Sequence, residues 1–174
     1  MNDELSTCTV PAPPSCPLGP LRLVASPTAL VELTFAEHRG ARPLPARAVA
    51  AADHPVLGRA ARELERWLAG DLRAFEVPLA PRGTAFQRAV WDALRAIPYG
   101  ATRSYSELAA ALGRPSATRA VASANRMNPL SIVVPCHRVI GRDGSLTGYA
   151  GGLAAKAWLL AHEAPARAAQ AVAQ

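Results

Sequence analysis

Cys136 and His137 stand side by side in the stretch Asn128-Pro-Leu-Ser-Ile-Val-Val-Pro-Cys-His-Arg-Val-Ile-Gly141, a thiol followed at once by a base. The chemistry open to that pair is nucleophilic: a thiolate attacks, and the imidazole takes its proton. A free cysteine behind a β-branched run is ordinarily a small buried hydrophobe. Pro135 argues otherwise. Proline cannot donate to a sheet ladder, so an Ile132-Val133-Val134 strand stops or lies at an edge there, and the cysteine lands where the chain leaves the core. Glu163 supplies a third group. It reads as the end of a helix from Leu153 to Glu163, broken before Pro165, where the macrodipole disfavours an anion and a carboxylate invites a partner. His137 fits that need, because a carboxylate orients an imidazole, which then draws a thiol proton directly or through water.

The elements that must position these groups lie between Thr84 and Glu163. Thr84 and Gln87 form a capping box ahead of an apolar stripe of Phe86, Val90, Ala93, Leu94 and Ile97 that stops at Pro98-Tyr-Gly100. Ser104 and Glu107 form a second box, opening Tyr105-Ser-Glu-Leu-Ala-Ala-Ala-Leu112, and Gly113-Arg-Pro115 leads to a third helix from Ser116 to about Asn125. Two short helices joined by so tight a turn predict a helix-turn-helix. In the third helix Val121 is the one large apolar residue, so its surface can approach another body closely. A minor groove about 6 Å wide suits such smallness better than a major groove does. Arg119, Ser123 and Arg126 share one face of it.

The first half carries no comparable chemistry. Residues 1–15, with Pro11, Pro13 and Pro14, read as a flexible leader, and residues 16–80 as a scaffold. Leu21-Arg-Leu-Val-Ala25 and Ala29-Leu-Val-Glu-Leu-Thr-Phe35 alternate as an antiparallel hairpin. A helix capped by Asp53 and closed by Gly70 buries Val56, Leu57, Ala60, Ala61, Leu64, Trp67 and Leu68, and Phe75, Val77 and Leu79 suggest a further short strand. His38 and His54 read as solvated loop residues. Pro78-Leu-Ala-Pro-Arg-Gly83 marks a boundary, residues 84–165 form the second domain, and 166–174 a flexible tail.

Charge follows the same division. Residues 1–81 hold eight Arg against nine acids, whereas residues 82–174 hold ten Arg and one Lys against four. All the excess positive charge therefore lies with Cys136, which points to a polyanion such as nucleic acid. The three cysteines have no disulfide or zinc spacing, and no apolar run approaches a membrane span or signal core, so reduced thiols, a cytoplasmic location and no membrane association are expected.

Tyr105-Ser-Glu-Leu-Ala, Thr118-Arg-Ala-Val, Asn128-Pro, Ile132-Val-Val-Pro-Cys-His-Arg-Val-Ile and Gly148-Tyr-Ala-Gly-Gly-Leu followed by Lys156-x-Trp-Leu-Leu-x-His-Glu163 closely resemble the O6-alkylguanine-DNA alkyltransferases. The resemblance runs from about Thr84 to Glu163, with a fainter echo at Cys16-Pro-Leu-Gly19. It implies an α+β fold: a small N-terminal antiparallel sheet with a helix, ribonuclease-H-like, then a winged-helix-like DNA-binding and catalytic domain. It implies direct repair, in which a monomer binds double-stranded DNA, flips out an O6-alkylguanine and transfers the alkyl group irreversibly to Cys136, with no cofactor. His137 and Glu163, with a water, would activate the thiol, and Asn128 would hold the active-site turn. Tyr105 would push the target phosphate and bond the flipped base, and Val139, Tyr149 and Ala150 would shape its pocket. Arg119 would fill the vacated stack, while Ala117, Thr118, Ala120 and Ala122, with Ser123 and Arg126, would face the groove.

Two departures stand out. The family often has glycine where this chain has Ala122, whose methyl could lift the helix slightly from the groove. Zinc-ligand positions of mammalian members fall on Ser26 and Val31, so no zinc is expected. Two other readings remain compatible with parts of the pattern. A DNA-binding regulator without chemistry explains the charge and the helix-turn-helix. A cysteine hydrolase explains Cys136, His137 and Glu163, but not the small-residue helix.

Overall fold

The computed structural model describes residues 4–35 and 44–172, with side chains up to residue 164. The chain divides into two compact units, Met1–Arg82 with Pro129–Val133, and Gly83–Asn128 with Val134–Gln174. His38 lies outside the described residues.

In the first unit, β1 (Ser6–Val10), β2 (Leu21–Ala25), β3 (Leu30–Phe35) and β4 (Arg47–Ala48) form one sheet in the order β3-β2-β1-β4. β2 and β3 make the expected antiparallel hairpin. The sheet is mixed rather than purely antiparallel, since β4 runs parallel to β1. The expected leader is also corrected, because β1 falls inside residues 1–15 at an inner position of the sheet. Thr7, Thr9 and Val10 favour a strand, and the prolines that suggested flexibility come after it. Cys8 and Val10 turn inward while Thr9 faces out.

α1 (Pro55–Leu68) packs on β1, β2 and β3, burying Val56, Leu57, Ala60, Ala61, Leu64 and Trp67. Each large apolar side chain buried there contributes roughly 1.5–3 kcal/mol. His54, expected to be a solvated loop residue, is the cap: its Nδ1 accepts from the Leu57 amide at 3.4 Å. Asp53, expected in that role, sits one residue too early because Pro55 is already the first helical residue. Gly70 closes the helix with φ +86°. The strand expected at Phe75–Leu79 reduces to one bridge between Leu79 and Leu30.

Pro129–Val133 belongs to this unit, although it lies within the segment expected to be one continuous second domain. Leu33 donates to Pro129 O at 2.8 Å and Ser131 donates to Leu33 O at 3.1 Å, so the segment is hydrogen-bonded to β3. The Ile132-Val133-Val134 strand is not formed. Those residues turn, and Ile132 adopts φ +70°. A β-branched residue in that conformation costs about 1–3 kcal/mol, which burial of its side chain, 1% exposed, offsets.

In the second unit, α2 (Ala85–Arg95) and α3 (Tyr105–Ala111) each begin with the complete capping box expected of them. α4 (Thr118–Arg126) follows α3 after Gly113, φ +68°, and a 3-10 turn at Pro115–Ala117. Trp91 of α2 donates from Nε1 to Ala124 O at 2.9 Å, joining α2 to α4. β5 (Arg103–Ser104) pairs in parallel with β6 (Val139–Ile140). α5 (Gly152–Val172) continues through Pro165. Both the break expected there and the flexible tail after it are corrected. An interior proline costs about 3 kcal/mol or more, but the alanine-rich continuation has the highest helix propensity available. Among the described residues no helix is long and apolar enough to cross a membrane.

Candidate functional site

Cys136 begins a 3-10 turn, Cys136–Arg138, set between the buried Val134 and β6. The turn is held from behind by two asparagines. Asn128 donates from Nδ2 to Val134 O at 2.8 Å, and Asn125 of α4 donates from Nδ2 to Cys136 O at 3.4 Å. The cysteine has not left the core, as Pro135 had suggested: it is only 4% exposed, because its neighbours in the turn are themselves covered. Burial pushes its thiol above the ordinary range, and the Asn128 hydrogen bond and the positive charge of Lys156 oppose that only in part. The resting group is therefore a thiol, and its chemistry needs a base.

An imidazole, His137, follows it in the turn. His137 Nε2 lies 3.0 Å from Glu163 Oε1, with both side chains essentially buried. Burial lowers the imidazole's pKa, outweighing the Glu163 carboxylate, so His137 is neutral near pH 7. Burial alone would raise the Glu163 carboxyl, but hydrogen bonds and charge from His137 and Arg138 hold it down to about 2. A carboxylate facing Nε2 fixes the tautomer with the proton on that nitrogen. Nδ1 is left as a buried lone pair without a protein partner.

Glu163 is not at a helix end, as expected, but two turns inside α5. What offsets its charge is Arg138, which sequence reading passed over. Arg138 donates from Nε to Oε2 and from an η nitrogen to Oε1, each at 2.9 Å, and the Gly100 amide adds a bond to Oε2 at 3.0 Å. An arginine inside the near-continuous apolar run Ile132–Ile140 was the available sign, since a buried guanidinium requires an anion. Lys156 and Asn125 were missed as well. Lys156 is fully buried, its Nζ donating to Val139 O and Thr147 O.

Of the other expected site residues, Val139, Tyr149 and Ala150 are buried in this unit. Tyr105 is half-buried at the start of α3, its hydroxyl 3.5 Å from Thr147 O. A cleft of about 440 Å³ is lined by Tyr105, Thr118, Arg119, Ala122, Ser123 and Arg126 of α3 and α4, with Thr147 and Gly148. It unites most of the residues expected at a nucleic-acid groove. Arg119, Ser123 and Arg126 are exposed, while Val121, Ala124 and Asn125 face inward. Ala117 lies in the preceding 3-10 turn rather than on α4, and neither it nor Ala120 lines the cleft.

Over residues 85–165 the chain matches the model of the 6-O-methylguanine DNA methyltransferase DNA-binding domain. It is 46% identical over 144 residues to the methylated-DNA–protein-cysteine methyltransferase of Methanosarcina acetivorans, covering 83% of this chain and 91% of that protein. It is 60% identical over 102 residues to the protein of the same name from Salmonella typhimurium, covering 58% of this chain and 60% of that one. The crystal structure of Mycobacterium tuberculosis OGT in complex with DNA superposes with a TM-score of 0.82 at 42% identity, over 92% of this chain and 93% of that one.

Proposed function

The chain belongs to the methylated-DNA–protein-cysteine methyltransferase family, and from that premise we propose how its own residues divide the work. The activity is DNA repair by direct transfer of a methyl group from O6 of guanine to a cysteine of the protein. Cys136 is that cysteine. The observation that carries the assignment is the continuous buried relay behind it, in which Arg138 holds Glu163, Glu163 holds His137 Nε2, and Nδ1 of the neighbouring imidazole remains free to accept a proton.

The step is a displacement at carbon. His137 Nδ1 takes the thiol proton, through one water, as the sulfur closes on the alkyl carbon. The Sγ–C bond forms, the C–O6 bond breaks, and guanine leaves as its anion, which takes up a proton in exchange for the one His137 removed, so that thiol and O6-alkylguanine become thioether and guanine. Protonation of His137 creates a cation beside Glu163, so the charge that develops meets one already in place. The product thioether has no easy leaving group, and each molecule acts once. No cofactor enters this scheme.

The damaged base reaches the buried thiol by leaving the helix. α4 presents small residues to the minor groove, Arg119 enters the stack in place of the flipped nucleotide, and Tyr105 meets the flipped base and its phosphate. Val139, Tyr149 and Ala150 form the pocket. The shared cleft of Tyr105, Arg119 and Arg126 supports this division. We place the reaction in the cytoplasm with the protein acting as a monomer; the three cysteines are all free thiols, as a reducing compartment keeps them.

The test is mass spectrometry of the intact chain and its peptides after incubation with excess duplex carrying one O6-methylguanine. One methyl on the Cys136 peptide, saturating at one per chain with guanine restored, is expected. Tight duplex binding with Cys136 unmodified would leave a lesion-binding protein and remove the assignment.

A further inference from the structure

α4 turns Val121, Ala124 and Asn125 inward, and the asparagine is only 2% exposed. Asparagine is a poor helix former, and leucine, with the same branching, would fill the place without burying an amide. Packing alone therefore gives no reason for this residue.

Its amide is half used. Nδ2 donates to Cys136 O at 3.4 Å, which fixes the orientation of the group, because a carbonyl accepts from Nδ2 and not from Oδ1. Oδ1 is then a buried acceptor without a protein partner, and so is His137 Nδ1. Cys136 O belongs to the peptide that joins Cys136 to His137. The two acceptors therefore border one peptide link, the first reaching it from α4 and the second from the turn itself. Buried acceptors are ordinarily satisfied, and where no protein donor reaches them a water does, making about three hydrogen bonds of its own.

A water that relays the thiol proton has three bonds to make. It accepts from Cys136 and donates one proton to His137 Nδ1, and its second O–H needs an acceptor in a place closed to solvent. Glu163 is already engaged by His137 Nε2, Arg138 and the Gly100 amide. We infer that Asn125 is a positioning residue for methyl transfer, whose Oδ1 holds the second O–H of the water that carries the Cys136 proton to His137 Nδ1. One proton leaves the sulfur for the water as another leaves the water for Nδ1, and the O–H held by Asn125 stays intact. The inference rests on Cys136 being the acceptor and on the relay proposed above.

Two measurements on the full chain test it. The first is the pH profile of Cys136 alkylation by free O6-benzylguanine in the wild type and in Asn125→Leu. The charged and titratable groups facing Cys136 and His137 are Tyr105 of α3, Arg138 beside them, and Lys156 and Glu163 of α5, and the substitution leaves each in place. The variant should react about tenfold more slowly near pH 7, the worth of one hydrogen bond to the water. The gap should close as pH rises toward the thiol's own ionisation, where no relay is needed. A loss that is the same at every pH would mean that the side chain only braces the turn, and would overturn the inference, as would no loss at all. The second measurement needs no variant: a crystal structure of the wild type that shows ordered water. One water within about 3.2 Å of both Asn125 Oδ1 and His137 Nδ1 is expected. A protein donor on Asn125 Oδ1, or a water on Nδ1 that Asn125 does not touch, would equally overturn it. If that water is in place and wild-type Cys136 takes up no alkyl group, the functional assignment fails and takes the inference with it.

Discussion

Arg138 and Glu163 form a buried two-pronged pair, guanidinium nitrogens meeting both carboxylate oxygens at 2.9 Å. Since Glu163 also faces His137 at 3.0 Å, its negative charge is shared between a permanent cation and an imidazole that burial disposes to stay neutral. The pair thus does two jobs: it keeps Glu163 ionised in the resting protein, and it keeps His137 in the tautomer that can accept a proton from a neighbour.

Removing one partner should be far worse than removing both. Arg138→Met leaves Glu163 as a buried charge with only His137 and the Gly100 amide, and a loss of about 3–5 kcal/mol is expected by urea unfolding. The double variant Arg138→Met, Glu163→Leu should recover part of that loss while remaining inactive. A double variant less stable than Arg138→Met alone would contradict this account of the pair.

Acid should expose the same carboxylate. Glu163 titrates near 2 in the folded chain against an ordinary 4.5. A depressed carboxyl contributes stability that is complete above its unfolded value and disappears as pH falls from about 4.5 to about 2; 1.36 kcal/mol per unit makes this about 3 kcal/mol. His137, whose folded pKa is also lowered, adds an earlier loss that begins as pH drops through its unfolded value of 6.5. In Glu163→Gln the lower window should flatten. Equal slopes of stability against pH for the two proteins below about 4.5 would disprove the depressed carboxyl.

Arg119 is exposed on the face of α4 that lines the cleft and does not belong to the buried relay. Arg119→Ala should therefore slow repair of O6-methylguanine in duplex DNA by tenfold or more, about 1.4 kcal/mol, yet leave reaction with free O6-benzylguanine within about twofold. Side-by-side single-turnover rates decide the matter, and equal losses on both substrates would exclude a role in extruding the base.

Asn128 is 1% exposed and bonds the Val134 carbonyl across the turn that precedes Cys136. Asn128→Ala removes one of two hydrogen bonds to the Val134 carbonyl, the other coming from the Cys136 amide at 2.8 Å, and should cost about 0.5–1.5 kcal/mol in thermal or urea unfolding. Alkylation of Cys136 by free O6-benzylguanine should fall with it. Full stability together with full reactivity would show the bond to be dispensable.

What could be read from residues alone was whatever depends on near neighbours. Thr84 with Gln87 and Ser104 with Glu107 announce two helix starts, because a capping box closes within one turn. The small residues around Arg119 mark an exposed face of α4, which lines a cleft, and Pro-Cys-His sets a thiol and an imidazole side by side in one turn. The resemblance of ordered blocks carried this from a thiol to a repair reaction. Elements whose stability comes from distant partners were read wrongly. β1 reads as a leader in sequence because its place in the sheet depends on β2 and β4, and Ile132–Val134 reads as a strand because the bonds of Pro129 and Ser131 to Leu33, next to which the segment turns, are not local. Glu163 was correctly joined to His137, but for a reason that fails, since α5 does not end there. Only the tertiary structure decided what balances its charge. Arg138 and Glu163 are 25 residues apart, and Lys156 finds its acceptors on β6 and at Thr147. A buried charge is tolerated only where folding brings its partner, and no local pattern records which partner arrives.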